Sequence, residues 1–130
     1  MIEVQGLTKR FGPNTAIDDQ TFSVAPGEIL GFLGPNGAGK TTTMRVLTGF
    51  MPASAGRARV GGFDVETHSM EVRRRVGYLP ESVPIYREAP VRDYLRFVAD
   101  VKGLPVAGLR AHLDDVMARV GLTGVAHRII

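Results

Sequence analysis

The run Gly34-Pro35-Asn36-Gly37-Ala38-Gly39-Lys40-Thr41 sets glycines, a lysine and a hydroxyl in the order G-x-x-x-x-G-K-[ST]. That order is the pattern of a phosphate-binding loop. A polyphosphate needs several donors converging on it, and backbone N–H groups converge only where the chain curls tightly. Gly37 and Gly39 permit the curl and let the backbone approach a ligand with no Cβ in the way. If a helix opens directly after the loop, its first N–H groups and its dipole favour an anion. Lys40 is then placed to reach the terminal phosphates as a point charge. The Thr41 hydroxyl suits Mg²⁺, a hard cation that takes oxygen ligands, and Thr42 is a candidate donor to the α-phosphate.

An ordinary tight turn shares part of this composition, so the flanking elements decide between the readings. Ile29-Leu30-Gly31-Phe32-Leu33 is a continuous apolar run just before the loop. It reads as a strand covered on both faces. Residues 41–48 read as a short helix closed by Gly49, of weak intrinsic propensity because of its β-branched residues. Upstream, Ile2 to Leu7 and Ala16 to Val24 alternate in part, with Gly12, Pro13 and Asn14 between them, which predicts two antiparallel strands and a turn. Pro26-Gly27 marks another turn. Downstream come a turn-rich connection over 52–56 and a short strand over 57–60 ended by Gly61-Gly62. A helix over 70–75 and a strand over 76–79 halted by Pro80 complete this part. Val91, Tyr94, Leu95, Val98 and Val101 then recur at helical spacing. Leu109, Leu113, Val116, Met117 and Val120 do so again, with Gly121 as a stop. Near Glu88 the pattern changes from mixed strand and helix to helix only, which places a boundary between residues 1–87 and 88–130.

The composition fits this reading. The chain has 130 residues, 44% of them hydrophobic and 22% charged, close to an ordinary globular domain. With no cysteine, disulfide frameworks and thiolate metal sites are excluded. The net charge of +3 comes from scattered basic residues. The one cluster, Arg73-Arg74-Arg75, is short and lacks interleaved aromatics, so no nucleic-acid partner is expected. No apolar run approaches the ~20 residues that span a bilayer, and no signal-peptide pattern is visible at Met1. Membrane association is therefore expected only through a partner. His68, His112 and His127 lie in no motif.

The sequence resembles the ABC ATPases, in particular the subunits paired with ABC-2-type exporters. Four segments carry the resemblance in order: Leu7-Thr8-Lys9-Arg10-Phe11-Gly12, the run from Pro26 through Thr42, the stretch from Gly56 to Asp64, and Val76-Gly77-Tyr78-Leu79-Pro80-Glu81. The resemblance implies an α/β fold of the P-loop NTPase type. This is a RecA-like core with N-terminal antiparallel β strands, incomplete here and running into a helical subdomain. It implies ATP and Mg²⁺ as ligands. Phe11 would be the adenine platform and Ala16 would lie near the ribose. Gly34, Pro35, Asn36, Gly37, Ala38, Gly39, Lys40, Thr41 and Thr42 would cradle the phosphates. Glu81 would stand at the Q-loop position, facing the metal beside Thr41. The family more often has glutamine there, and a carboxylate cannot donate as an amide does.

The resemblance further implies a transmembrane permease subunit and a second ATP-binding subunit, joined head to tail, as partners. The location would be cytoplasmic, on the inner face of the cell membrane. No Leu-Ser-Gly-Gly run and no apolar run ending in Asp-Glu occurs, so the chain reads as truncated before the signature motif. The full-length protein is expected to hydrolyse ATP, and these 130 residues alone to do so negligibly. The loop strand is expected to be central and to pair with strands later in the chain, so that without them its apolar faces are exposed. Alternatives are an ABC-type ATPase of DNA repair or translation, which would carry insertions or tandem cassettes, and a nucleotide-binding module without catalysis. A small-molecule kinase would place its loop nearer the N-terminus.

Overall fold

Gly12 and Pro13 reverse the chain between two long strands, β1 (Ile2–Phe11) and β2 (Asn14–Val24), in a computed structural model that describes residues 1–83 and 85–130. Phe11 pairs with Asn14, which leaves a two-residue loop. Gly12 takes φ 56° at its first position, as a type II′ hairpin turn requires. β3 (Ala55–Val60) lies on the other side of β1, and β4 (Phe63–Asp64) follows through the Gly61-Gly62 turn. The sheet order is β2-β1-β3-β4 and every pairing is antiparallel.

One face of this sheet is closed by helices. Val4, Leu7 and Ile17 of the hairpin and Ala58 and Val60 of β3 form a buried cluster with Val46 and Leu47 of α1 (Lys40–Leu47), Val65, and Val72 of α2 (Ser69–Arg75). The eight-residue α1 is too short and too rich in threonine to hold itself in water. Its inward stripe of Thr43, Val46 and Leu47 shows that tertiary burial supplies the stability that propensity lacks.

Two expected strands do not form. Residues 29–33 and 76–79 carry the apolar pattern but no ladder. A strand exists only with a hydrogen-bonded neighbour, and no described residue pairs with either segment. Ile29 and Leu33 are 97% and 94% exposed, and Leu79 is exposed as well. The exposure expected of an unpartnered loop strand is thus observed, while the strand itself is not. Before the loop, Ala25 to Glu28 forms a turn closed by Glu28 N–H to the Ala25 carbonyl at 3.2 Å, with Gly27 at φ 79°. The Glu28 carboxylate accepts the Ala25 N–H at 2.7 Å.

The chain divides into two compact units, Met1–Tyr78 and Leu79–Ile130. This division falls ahead of the change to purely helical pattern near Glu88. In the second unit, α3 (Val91–Val101) and α4 (Leu109–Arg119) pack through Ala99, Leu109 and Leu113 with Leu95 beside them. Val101 and Val120, at the ends of the two apolar stripes, are exposed. The start of α3 is closed by the end of the chain: the Val91 and Arg92 N–H groups donate to the Arg128 and Ala126 carbonyls, each at 2.9 Å.

Asp64 closes the turn that leads to α2. Its Oδ1 accepts the N–H groups of Glu66 and Thr67 at 3.0 Å each and the Thr67 hydroxyl at 3.2 Å. The Thr67 N–H is the largest cause holding the Asp64 carboxyl below its ordinary range. Partial burial opposes it, while the Glu66 N–H, the Thr67 hydroxyl and nearby His68 add to the lowering. A carboxyl whose folded pKa is depressed stabilises the fold above its unfolded pKa, and this contribution is lost as pH falls through the folded value. Asp64→Ala should therefore lower the unfolding free energy at pH 7 by about 1 kcal/mol. In urea titrations at descending pH, the gap between variant and parent should shrink below the ordinary carboxyl range.

Candidate phosphate-binding site

The loop from Gly34 to Gly39 curls as its glycines allow. Ala38 N–H donates to the Pro35 carbonyl at 3.2 Å, and Gly37 and Gly39 both take φ 84°. Gly39 stands at the cap of α1, where the helix has no side-chain cap and no acidic residue in its first turn. Among the described residues the N–H groups of Lys40, Thr41 and Thr42 find no acceptor, and the first bond of this helix runs from Thr43 N–H to the Gly39 carbonyl at 2.8 Å. Lys40 folds back over the loop, its Nζ donating to the Gly34 and Pro35 carbonyls. No carboxylate pairs with it among the described residues. The result is a short arc of unclaimed backbone donors with a cation held only by neutral oxygens.

β2 holds this arc in place. A Cβ on Gly39 would lie 2.1 Å from the Ala16 carbonyl oxygen, so the loop rests directly on the backbone at the start of β2. One turn on, the fully buried Thr43 hydroxyl donates to Gln20 Oε1 at 3.0 Å and lies 3.1 Å from the Gly39 carbonyl. The far end of α1 is closed by Gly49 at φ 69°. Gly49 N–H reaches the Val46 carbonyl and Phe50 N–H the Arg45 carbonyl, both at 2.9 Å. This is a Schellman ending. The Gly49 carbonyl in turn accepts the Arg73 guanidinium from α2, a cation well placed at the negative end of a helix.

The remaining sequence-predicted residues are placed as follows. Ala16 is half-buried beneath Gly39, while Thr41 is exposed and Thr42 half-buried on the first turn of α1. Phe11, at the tip of the β1–β2 hairpin, keeps 50% of its surface exposed. Lys9 Nζ lies 5.3 Å from the centroid of its ring. Glu81 is exposed and belongs to the helical unit, whereas every other candidate belongs to the first unit. Sequence reading missed Gln20 and Thr43 as supports of the loop. The only signal was a third threonine following two with assigned roles. It also missed Arg73, whose role appears only once α2 packs beside Gly49. A cavity of about 380 Å³ in the helical unit, bordered by Arg92, Arg96, Arg110 and His127, includes none of the loop residues.

A solved structure described as the ATP-binding subunit of an ABC transporter superposes on this chain with a TM-score of 0.83 at 28% identity, covering 99% of this chain and 54% of that one. The fold is therefore that of the P-loop NTPases. The family profile described as ABC transporter matches residues 17–130, and this chain belongs to that family. Among curated relatives, a probable multidrug ABC transporter ATP-binding protein of Escherichia coli is 36% identical over 97% of this chain and 22% of its own length. The Nod factor export ATP-binding protein I of Ralstonia nicotianae is 37% identical over 90% of this chain and 36% of its own length. A daunorubicin resistance ATP-binding protein of Streptomyces coeruleorubidus is 36% identical over 99% of this chain and 41% of its own length. The chain thus spans less than half the length of these relatives.

The two inner glycines of the loop should respond differently to alanine. Gly37 has open space where a Cβ would go, so Gly37→Ala carries only the positive-φ penalty, about 1–2 kcal/mol. Gly39→Ala adds a clash with backbone, and we expect roughly 3 kcal/mol or more in total. Thermal and urea unfolding of the two variants compare them directly. Equal losses would show that the Ala16 contact does not constrain the loop.

Proposed function

We propose that this chain is the nucleotide-binding part of an ATP-binding subunit of an ABC exporter, which binds MgATP and, in the whole protein, hydrolyses it to drive export through a separate membrane subunit. The carrying observation is the unclaimed start of α1. Among the described residues the N–H groups of Lys40, Thr41 and Thr42 find no acceptor, and the Lys40 ammonium is bonded only to neutral carbonyls. Exchanging those carbonyls for phosphate oxygens replaces hydrogen bonds from an ammonium to neutral acceptors with bonds in which both partners are charged.

Each residue then has a role in binding. The amides along Gly37 to Thr42 surround the phosphates, and Lys40 turns from the Gly34 and Pro35 carbonyls to the terminal phosphates. The exposed Thr41 hydroxyl fits as a ligand to Mg²⁺, and Thr42 donates to the α-phosphate. Mg²⁺, when bound, neutralises charge on the phosphate oxygens. Phe11 offers its open ring to the adenine and Ala16 lies toward the ribose. Glu81 would take the Q-loop position that the sequence resemblance gives it.

Hydrolysis also needs a group that orients the attacking water. These 130 residues contain no apolar run ending in Asp-Glu, and hydrolysis is proposed for the whole protein. The export reading is supported by the relatives, named for multidrug transport, Nod factor export and daunorubicin resistance. No helix among the described residues is long and apolar enough to cross a membrane. A second ATP-binding subunit, head to tail, and a place on the cytoplasmic face of the membrane complete the proposal.

Titration calorimetry on the intact protein tests it. Lys40→Ala should weaken MgATP at least ~30-fold, the loss expected when charge-assisted bonds to phosphate disappear. Thr41→Ala should chiefly remove the dependence on Mg²⁺. An affinity untouched by loss of the lysine would overturn the reading.

A further inference from the structure

Lys9 and Phe11 sit two residues apart on β1, so their side chains share one face of the hairpin. The Lys9 ammonium donates to the Pro52 carbonyl at 2.7 Å and stands 5.3 Å from the Phe11 ring centroid. Pro52 belongs to the connection between α1 and β3, far away in sequence. The backbone nearby is tied in the same way. Arg10 N–H donates to the Ser54 hydroxyl at 3.0 Å, and Ser54 N–H donates to the Thr8 carbonyl at 2.8 Å. The end of β1 is therefore clamped along the 52–54 segment, with Lys9 as the side-chain link that also reaches the aromatic ring.

A phenylalanine at a hairpin tip with half its surface exposed is only partly held by packing. For such a ring to serve as a stacking surface, something must hold its plane, or the ordering entropy is charged against each binding event. A cation over the ring restrains it by attraction to the π-face. A cation tethered at its far end to a backbone carbonyl also keeps its own position. Lys9 has no carboxylate partner among the described residues that would draw it away.

We propose that Lys9 is a positioning residue for the nucleobase: held by the Pro52 carbonyl, it fixes the Phe11 ring and makes the hairpin tip a one-sided stacking platform for a purine. This rests on the reading of the chain as a binder of adenine nucleotides. Lys9 lies outside the Gly34–Thr42 run, so its contribution is confined to ligands that carry a base.

The experiment compares MgATP with magnesium tripolyphosphate, which has the phosphates and no base, by calorimetry on the intact protein. Lys9→Met keeps the apolar stem and removes the ammonium. It should weaken MgATP about two- to fivefold, the range an exposed cation–π contact commands, and leave tripolyphosphate unchanged. Lys9→Arg keeps a cation and a donor and should restore the affinity for MgATP. In a Phe11→Ala background the effect of Lys9→Met should vanish, which a general loss of folding would not produce. Equal weakening of both ligands, no weakening of either, or an undiminished effect without Phe11 would overturn the proposal. Failure of the parent protein to bind tripolyphosphate would instead strike at the phosphate-loop reading on which this one stands.

Discussion

The close approach of Gly39 to the Ala16 carbonyl is the constraint around which the nucleotide-facing half is arranged. A loop that presents amides to a ligand cannot also bond those amides internally, so another part of the protein must hold its shape. Here the support is the backbone at the start of β2, reached only because residue 39 has no Cβ. Thr43 and Gln20 repeat the attachment one turn later, and Val46 and Leu47 complete it in the core. The β1–β2 hairpin therefore sets the position of the phosphate loop as well as carrying Phe11 at its tip. Phe11 and the 34–39 loop are thus both carried by the β1–β2 hairpin.

The two helix beginnings at Lys40 and Val91 show how differently the same backbone groups can be treated. At α3 the Val91 and Arg92 N–H groups are satisfied by the carbonyls of Arg128 and Ala126. At α1 the corresponding N–H groups are left without acceptors among the described residues, with no acidic side chain nearby and with Lys40 alongside. Leaving donors unsatisfied lowers the stability of a helix that already has poor propensity. The Schellman ending at Gly49, the Arg73 guanidinium on its carbonyl and the buried stripe offset that loss at the other end and along the inner face. Stability is thus supplied at the C-terminal end and inner face of α1 and not at its start.

Much was legible in the residues alone. The loop pattern from Gly34 to Thr41 specified phosphate chemistry because few residue types permit the curl and the charge together. The Gly12-Pro13-Asn14 turn residues between partly alternating runs specified the hairpin, since glycine and proline interrupt a strand. Helical spacing specified α3 and α4, although Val101 and Val120 proved exposed. These are local features, and local sterics and periodicity were enough to read them.

What tertiary structure alone decided was everything that needs a second segment of chain. Residues 29–33 and 76–79 have the composition of strands and are not strands, because a ladder requires a neighbour and none of the described residues supplies one. That Gly39 is demanded by contact as well as by φ became visible only with Ala16 beneath it. The same holds for Lys9, whose place over Phe11 depends on a carbonyl contributed by Pro52. Sequence determined the chemistry of the loop and the kind of each local element. The fold determined which groups stand close enough to act on one another, since distance in space is set by packing and not by order along the chain.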